Sequence, residues 1–446
     1  MTLFLFIGYN VKGDVMKLLL IKMIHFVLKK MGRGGSLPGT IALKLDKDIL
    51  KKFKMPKKVI IVTGTNGKTT TSNLICESFA KAGLKVIGNR RGDNLKEGIT
   101  TLLCANSNLN YEVQADAVVF EVDELTVMRV FKDLNVTTFV VNNFFRDQLD
   151  RVGEMETIIR RIGSVLDDYT GHLVLNANDP NVVRLADSAP NAQIHYYGVG
   201  VNEVTVQKST EASEGKFCPR CGLPLYYEYY QYSHIGNFEC ICGFGKNEVE
   251  CFVESIDYEN ETFVMNGQTF HSFQNAIYAI YNCAAVLCCM KVNDIDLEHP
   301  NHVFKTFVMN IGRNETFDLN GYCLLNLIKN PAGSNEVMKA IMKNPNDKNI
   351  LLVLNDNESD GTDVSWIWDA HFELLINEHT KHIYCAGLRA YDMALRLKYE
   401  GFKDVEVVEN TEDAILKLKE FKEDAYVIAN YTALQPTRSI IRRLSA

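Results

Sequence analysis

The residues of this chain that are best suited to chemistry stand in one glycine-bearing turn, Gly64-Thr65-Asn66-Gly67-Lys68-Thr69-Thr70. The apolar, β-branched run at 59–62 is typical of a buried parallel strand, and a helical pattern follows the turn. Glycines let backbone N–H groups approach a phosphate, and a helix N-terminus attracts an anion. Lys68 would then reach the β- and γ-phosphates of a nucleotide, and the Thr69 hydroxyl would bind Mg²⁺. The alternative is an ordinary strand–turn–helix, because Val62 replaces the first glycine of the full G-x-x-x-x-G-K-[ST] loop.

Polar side chains also follow the strands predicted at 117–122 and 136–141. Open α/β sheets bind ligands beyond the carboxyl ends of their strands, so both groups are expected near the phosphate loop. Glu121 is well placed to hold Mg²⁺ beside the phosphates, although a solvated acidic turn has the same pattern. The second group could organise metal, phosphate or a substrate carboxylate, or form a surface salt-bridge cluster. Its members are Asn142, Asn143, Arg146, Asp147, Gln148, Asp150 and Arg151.

Four cysteines form two close pairs, Cys218 with Cys221 and Cys240 with Cys242. Pairs at this separation are typical of zinc ribbons, in which four thiolates bind one tetrahedral Zn²⁺. The aromatic run at 225–230 between the pairs favours a strand, as a ribbon requires. Because four thiolates leave no open coordination position, the zinc is predicted to be structural. A disulfide or free thiols are the alternatives.

The elements that must position these residues alternate between strands and helices, which predicts a parallel α/β sheet. Helices are predicted at 69–84, 155–166 and 270–290, and a further strand at 172–175. The alternation begins again after a junction at 311–315, with strands at 351–354, 383–386, 405–408 and 426–429. We therefore expect an N-terminal helix and glycine-rich segment at 1–52, a central nucleotide-binding domain at 53–310 with a zinc-ribbon insertion at about 201–250, and a Rossmann-like α/β domain at 311–446.

Three further positions are candidates for a functional site. Asn282 could contact an adenine, or pack at the edge of the core. Arg313 lies at the domain junction and could reach back toward the phosphates. Asp363 lies in a carboxylate-rich loop at 355–366, where each acid taken singly is predicted to cap a helix.

The overall composition is that of an ordinary globular protein: 446 residues, 46% hydrophobic and 23% charged. A net charge of −7 opposes nucleic-acid binding, so a zinc-ribbon protein acting on nucleic acid is the weaker hypothesis. Most of the 12 cysteines stand singly in apolar runs, as buried thiols of a reducing cytosol do, and we expect a cytoplasmic protein.

The N-terminal region contains apolar segments at 1–7 and 16–28, and neither is an unbroken run of the roughly 18 residues that a spanning helix needs. No small-residue cleavage site follows, so a secretory signal is not predicted. An amphipathic helix that packs on the body or touches the inner face of the membrane is expected. Either Met1 or Met16 could be the first residue.

These motifs resemble the Mur ligase superfamily, the ATP-dependent enzymes of peptidoglycan synthesis and related amide ligases. Within it, the chain is similar to the MurT family, the ligase-like subunits of lipid II isoglutaminyl synthase, from about Met16 onward. The wider resemblance is carried by the phosphate loop, Glu121, Asn143 with Asp147-x-x-Asp150, and Gly312-Arg313. The cysteine pairs, the sequences at 34–39, 145–151 and 329–333, and the loop at 355–366 carry the narrower one.

The resemblance implies a Mur-ligase-like ATP-binding central domain and a defined reaction. ATP would phosphorylate the α-carboxyl of D-glutamate in the stem peptide of lipid II, and ammonia would attack the acyl phosphate to give D-isoglutamine. Lys68, Thr69 and Mg²⁺ would neutralise charge during phosphoryl transfer, and Glu121 matches the glutamate that binds Mg²⁺ in the superfamily.

The resemblance also implies a partner. No cysteine here has the setting of a glutaminase nucleophile, since Cys385-Ala386-Gly387 lacks the preceding glycine. A separate GatD-like class I glutaminase would supply ammonia in a heterodimer, and Asp363 matches the ligase-chain aspartate thought to complete the partner's catalytic triad. A stand-alone amino-acid ligase of the superfamily is the alternative.

Three positions depart from the amino-acid-adding Mur ligases. The helix region that carries their carbamylated lysine has none here, and Gln148 replaces a histidine. Both changes fit the MurT pattern, and they leave open whether a second metal site exists. Ala279 replaces the first asparagine of the N-x-x-N motif, so only Asn282 is retained.

Overall fold

The computed structural model describes residues 2–31, 35–89, 93–146, 155–209, 211, 214–308 and 314–445. Two α/β domains follow one another along the chain, and a small ribbon is inserted in the first. The strands up to the ribbon are β1 (Lys58–Thr63), β2 (Val86–Gly88), β3 (Ala117–Glu121), β4 (Thr138–Val141), β5 (His172–Asn176) and β6 (Gln193–Val199). The next are β7 (Tyr226–Tyr232) and β8 (Ile235–Glu239) in the ribbon, then β9 (Cys251–Asp257), β10 (Thr262–Met265) and β11 (Gln268–His271).

The central domain is built on one sheet in the order β11-β10-β9-β6-β5-β4-β1-β3-β2. The strands from β9 to β2 run parallel, and β10 and β11 are antiparallel. β1, β3 and β4 are buried on both faces, as parallel strands between helical layers are. The carboxyl ends of β1, β3 and β4 therefore meet at one edge of the sheet.

Helices cover both faces of this sheet. The chain-order labels are α1 (Thr2–Lys30), α2 (Leu37–Leu45), α3 (Lys68–Lys81), α4 (Lys96–Asn106), α5 (Glu124–Val130), α6 (Met155–Gly163), α7 (Pro180–Val183), α8 (Ile277–Val292) and α9 (Glu298–Thr306). Ile60 and Val62 of β1 pack with α3, α8 and α9, whereas Val59 and Ile61 pack in the cluster with α2, α4 and α5. The period-2 alternation of β1 thus divides the core into two layers.

The C-terminal domain has a second sheet. Its strands are β12 (Glu315–Asp318), β13 (Tyr322–Leu327), β14 (Lys348–Val353), β15 (Thr380–Ala386), β16 (Val405–Val407) and β17 (Asp424–Ala429). They lie in the order β12-β13-β17-β14-β15-β16, with only the β12–β13 pair antiparallel among the described strands. Its helices are α10 (Pro331–Met342), α11 (Ala390–Tyr399), α12 (Thr411–Lys419) and α13 (Tyr431–Leu444). The predicted α/β fold with a second Rossmann-like domain is confirmed.

One predicted helix begins at the wrong residue. The helix predicted at 270–290 starts at Ile277, and Phe270 belongs to β11 instead. The reason is the turn Asn266-Gly267, in which both residues have a positive φ (50° and 75°). Two adjacent residues of this kind form a tight hairpin turn, which pairs β10 with β11.

The N-terminal helix α1 packs on the central domain through Leu18 and Ile21, which are fully buried. Lys22 Nζ donates to the Ser107 carbonyl oxygen (2.5 Å), which ties the helix to the end of α4. Within the described part of the chain, no helix is long and apolar enough to cross a membrane.

Candidate nucleotide and metal sites

The phosphate loop lies at the carboxyl end of β1, between β3 and β4. Gly64 has a φ of +127° and Gly67 a φ of +82°, conformations that a residue with a Cβ rarely adopts. A Cβ on Gly64 would lie 2.9 Å from the Asn143 carbonyl oxygen, so the turn also needs the missing side chain for space. The loop therefore has its glycines where the backbone demands them.

Lys68 begins α3 and is buried beneath this loop. Its Nζ donates to the carbonyl oxygens of Gly64 (2.5 Å) and Thr65 (3.3 Å) and to Glu124 Oε2 (3.1 Å). Burial disfavours the charged amine, but the carboxylates of Glu124, Asp123 and Glu121 outweigh it and raise the pKa of Lys68. Lys68 is therefore a fixed cation beside the loop, as binding of a triphosphate requires.

Thr69 and Glu121 meet next to this cation, and their oxygens suit a magnesium ion. Thr69 Oγ1 donates to Glu121 Oε1 (2.9 Å). The second carboxylate oxygen, Glu121 Oε2, is buried and has no hydrogen-bond partner among the described residues. Asn89 holds the Glu121 backbone by accepting from its N–H (2.8 Å) and donating to its carbonyl (2.7 Å). A buried, unpartnered carboxylate oxygen beside a hydroxyl is the donor set that Mg²⁺ prefers.

Residues 142–145, after β4, form the wall opposite α3. Asn143 accepts hydrogen bonds from the Thr65 N–H through its carbonyl (2.8 Å) and from the Asn66 N–H through Oδ1 (2.8 Å). Phe145 N–H donates to Thr65 Oγ1 (3.0 Å). This wall fixes the two residues at the tip of the phosphate loop.

Asn282 of α8 lies directly under the same loop. Its Oδ1 accepts from Thr71 Oγ1 (3.3 Å), and it would be only 2.4 Å from a Cβ on Gly67. The side chain is buried at the first turns of α3, so it supports the loop from below. The prediction that it contacts an adenine stays a prediction.

The C-terminal domain reaches the phosphate loop through Lys329 and Asn330, to which the sequence motifs assign no role. Lys329 Nζ donates to the Thr65 carbonyl (3.0 Å), and Asn330 Nδ2 donates to Asn66 Oδ1 (3.1 Å). Arg146 adds an ion pair with Asp369 across the domains (3.4 Å). In the sequence, Lys329 belongs to the segment 329–333 that carries part of the family resemblance, but the sequence alone does not show which residue this lysine contacts.

Several predicted residues lie outside the described part of the chain. These are Arg313, with the junction residues before it, and Asp147, Gln148, Asp150 and Arg151. Their proposed roles rest on the sequence.

The four ribbon cysteines come together at the ends of the β7–β8 hairpin. Their sulfur atoms all lie within 4.8 Å of one another, with Cys218 Sγ 3.5 Å from Cys242 Sγ and Cys221 Sγ 3.4 Å from Cys240 Sγ. A tetrahedral zinc with bonds of about 2.3 Å separates its sulfurs by about 3.8 Å, so the cluster fits that ion. Donation from the Phe244 backbone N–H lowers the pKa of Cys242 to about 7, which favours a thiolate.

The tip of the ribbon also supports the wall of the phosphate site. His234 Nε2 lies 3.2 Å from Asp179 Oδ1, and both side chains are fully buried. Asp179 Oδ2 in turn accepts from the Phe144 N–H (2.8 Å), and the Phe145 ring contacts that of His234 (centroids 4.9 Å apart). The ribbon is therefore part of the support for residues 142–145, a long-range contact that no local motif signals.

Asp363 lies in the C-terminal domain, and Oδ1 accepts from the Ser365 N–H (2.8 Å). This contact is an Asx-type turn, which stands directly before the 3₁₀ turn Ser365–Trp368, whose N-cap residue is Val364. The same loop is anchored at Asp360, which accepts from the Thr432 N–H (2.8 Å) and from its hydroxyl. The loop is thus held in shape with Asp363 at its partly exposed end.

Comparisons with known proteins agree with this geometry. Residues 62–222 match the Mur ligase middle domain, and residues 327–434 match the MurT ligase C-terminal family. Among solved structures, the chain is similar to a pseudomurein peptide ligase type C from Methanothermus fervidus (TM-score 0.68, 23% identity, covering 89% of this chain and 81% of that one). It is also similar to MurF from Acinetobacter baumannii (TM-score 0.65, 13% identity, 91% and 80%).

The fold, the phosphate loop and its carboxylate define a Mur ligase-type, ATP-dependent ligase. The curated relatives narrow this class. The chain is 33% identical over 415 residues to the lipid II isoglutaminyl synthase (glutamine-hydrolyzing) subunit MurT of Staphylococcus aureus strain COL, covering 92% of this chain and 93% of that protein. It is 32% identical to the same subunit of Streptococcus pneumoniae, with 94% of each covered. The chain belongs to the MurT family.

Proposed function

We propose that this chain is the ligase subunit that amidates the α-carboxyl of D-glutamate in the stem peptide of lipid II. The observation that carries the proposal is the joint presence of a Mur-type ATP site and a whole-chain match to MurT relatives. ATP would transfer its γ-phosphoryl group to the carboxylate, releasing ADP. Ammonia would then attack the acyl carbon, expelling phosphate and leaving D-isoglutamine.

The residues of the phosphate site have distinct roles in this scheme. Lys68, held charged by its carboxylate neighbours, would stabilise the negative charge on the transferring phosphoryl group. Thr69 and Glu121 would hold Mg²⁺, which would neutralise part of the charge of the phosphates when bound. Gly64, Thr65, Asn66, Gly67 and Thr70 would present backbone and hydroxyl groups to the nucleotide, with Asn282 and Arg313 as the remaining predicted contacts.

Zinc at the four cysteines is the second part of the proposal. Its role would be structural, because no coordination position remains for a substrate. The sulfur separations and the packing of the ribbon tip on residues 142–145 support it. The expected location is the cytoplasm at the inner face of the membrane, where ATP and a lipid-linked substrate are both available.

The third part is a separate class I glutaminase, GatD-like, that supplies ammonia. An exposed apolar patch on α11 supports a protein partner here. Tyr391, Leu395 and Tyr399 are spaced four residues apart on this helix, and Tyr399 contacts the exposed Trp368 ring (centroids 5.5 Å apart). Aromatic side chains of this kind dominate binding energy at protein interfaces. The turn Ser365–Trp368, which follows Asp363 in the chain, packs directly on this helix, so a partner on the patch would lie beside the loop that carries Asp363.

The decisive experiment combines the chain with the candidate glutaminase, ATP, Mg²⁺, glutamine and lipid II. We expect conversion of the D-glutamate carboxyl to an amide, detected by mass spectrometry, with stoichiometric ADP. Unchanged lipid II would refute the proposal. Phosphate release that depends on an added amino acid and needs no partner would favour a stand-alone ligase.

Asp363→Asn separates the two half-reactions. Asparagine keeps an oxygen that can accept from the Ser365 N–H, so the loop should fold, but it cannot stabilise a charged histidine of the partner. We expect a roughly 10²- to 10⁴-fold loss of glutamine-driven amidation, with ammonium-driven amidation retained. Glu358→Gln, in the exposed part of the same loop, is the matched control and should leave both unchanged. Equal loss with both nitrogen sources would contradict the triad role.

A further inference from the structure

The N-terminal helix has an apolar face that nothing in the described structure covers. Its side chains recur at helical spacing and are each between 46% and 71% exposed: Met16, Leu19, Leu20, Met23, Phe26 and Val27. We call this set the α1 stripe. Exposed large apolar residues are ordinary when scattered, but a continuous stripe of them marks a binding surface.

The α1 stripe is held in a fixed orientation. Leu18 and Ile21, on the opposite side of the helix, are fully buried in the central domain. Lys22 Nζ is bound to the carbonyl oxygens of Ala105 and Ser107, and the Tyr111 hydroxyl donates to the Asp14 carbonyl (3.1 Å). The helix cannot therefore turn to bury the stripe against its own domain without breaking these contacts.

The charge around the stripe points to its occupant. Residues 15–31 contain no aspartate or glutamate, but include Lys17, Lys22, Lys29, Lys30 and His25, although the whole chain has a net charge of −7. Lys17, Lys29 and Lys30 are exposed beside the stripe. A basic border around an apolar face attracts anionic lipid headgroups. A second copy of the same face would bring like charges together, so it is the less favoured occupant.

We propose that the α1 stripe docks this protein on an anionic lipid surface, with α1 lying in the plane of the interface. This inference rests on the proposed function, because docking would bring the protein to the lipid-linked substrate proposed above. The structure connects the two sites: α1 is followed by residues 35–39, where Ser36 Oγ donates to Asp93 Oδ1 (3.4 Å). The neighbouring Asn94 donates to Glu121 Oε1 (3.5 Å), so the segment that follows α1 contacts the loop that holds this carboxylate.

The test is co-sedimentation of the full chain, alone and with its glutaminase, with vesicles of equal parts phosphatidylglycerol and phosphatidylcholine. We expect binding that weakens as salt is raised and is much weaker to pure phosphatidylcholine. Met23→Glu with Phe26→Glu should lower the partition coefficient by roughly 100-fold or more. Lys29→Gln with Lys30→Gln should lower it about fivefold per lysine at low salt.

The matched control is Val201→Glu with Leu416→Glu, two exposed apolar positions away from α1, which should bind vesicles as the unaltered chain does. Equal vesicle binding by the Met23/Phe26 variant would overturn the inference. So would equal binding to neutral vesicles. If the unaltered chain is a dimer that binds no vesicles, and the Met23/Phe26 variant is a monomer, then a second copy of the chain covers the stripe.

A second readout separates this inference from the proposed function. The Met23/Phe26 variant should amidate lipid II in detergent micelles normally, but amidate lipid II in vesicles poorly. If the unaltered protein fails with micelles, the proposed function is wrong. If both proteins work equally on vesicles, the function stands and the docking surface is wrong.

Discussion

Gly67→Ala tests the geometry of the phosphate loop because two independent constraints meet at that position. The backbone φ is +82°, and an alanine in the left-handed region costs about 1–2 kcal/mol. The new Cβ would lie 2.4 Å from Asn282 Oδ1, so the buried asparagine must move and lose its bond to Thr71. A lost hydrogen bond adds about 1 kcal/mol. The total of about 2–3 kcal/mol corresponds to a roughly 30- to 150-fold weaker ATP affinity if the bound loop bears the whole cost.

The two contributions can be separated with Asn282→Ala. This change removes the oxygen that obstructs the Cβ, and by itself it should weaken ATP binding by about 1 kcal/mol. In the double variant the backbone strain, the lost asparagine and the 3.0 Å approach of the Cβ to Asn142 Nδ2 remain. The combined loss of ATP-binding free energy should therefore fall short of the sum of the two single losses by about 1 kcal/mol. The assay is calorimetric titration of Mg·ATP for the four proteins, with urea unfolding of each to measure stability.

Gly83→Ala is the matched control. Gly83 has nearly the same φ, +87°, but a Cβ there would meet nothing within 4 Å. It should reduce stability by the backbone strain alone and leave the ATP affinity unchanged. Additive costs for Gly67→Ala and Asn282→Ala, within about 0.3 kcal/mol, would refute the contact between these two residues. An unchanged ATP affinity in Gly67→Ala would refute the role of the loop in nucleotide binding.

Three other predictions follow from the sites described. Cys218→Ser should abolish binding of one zinc per chain and lower the free energy of unfolding by at least about 2 kcal/mol; metal analysis and urea unfolding check this, and a fully stable zinc-free variant would contradict it. Glu121→Gln should weaken Mg²⁺ binding by about 10- to 100-fold. The fold should stay intact, because the amide oxygen can still accept from Thr69. The Mg²⁺ dependence of ATP turnover measures the effect, and an unchanged dependence would remove Glu121 from the metal site. Burial and His195 lower the pKa of His172 in the folded protein. Its neutral form therefore contributes stability that is complete above about pH 6.5 and is lost as the pH falls through the lowered pKa of the folded state. His172→Asn should reduce the fall in unfolding free energy between pH 7 and pH 5, and an identical fall in both proteins would contradict this role of His172.

Local sequence patterns predicted those parts of the fold whose causes are local. The β-branched run of β1, the glycine-bearing turn after it and the cysteine spacing each indicate a structure within a few residues, and each is found where expected. The predicted start of α8 was wrong because the apolar spacing of Phe270 and Phe273 fits a helix as well as a hairpin. There the turn Asn266-Gly267 decides the structure, since its two left-handed residues cannot belong to a helix.

The predicted site lacked the residues that approach it from distant parts of the chain. Glu124 was assigned no role from the sequence, although it is the direct ionic partner of Lys68. His234 and Asp179 are 55 positions apart in the sequence, and their contact depends on how the ribbon folds back onto the central domain. Such pairings follow from tertiary packing, which residue type and spacing along one segment do not contain.

Lys329 changes the interpretation of the phosphate loop, because the carbonyl oxygen of Thr65 accepts from two ammonium groups. Lys68, from the central domain, is 3.3 Å away, and Lys329, from the C-terminal domain, is 3.0 Å away. A phosphate carries full negative charge and is a stronger acceptor for an ammonium group than a neutral carbonyl is. A nucleotide at this loop would therefore compete for both lysines at once, and a change at either would be felt by both domains. ATP binding and the position of the C-terminal domain, including the Asp363 loop, are for this reason expected to be coupled.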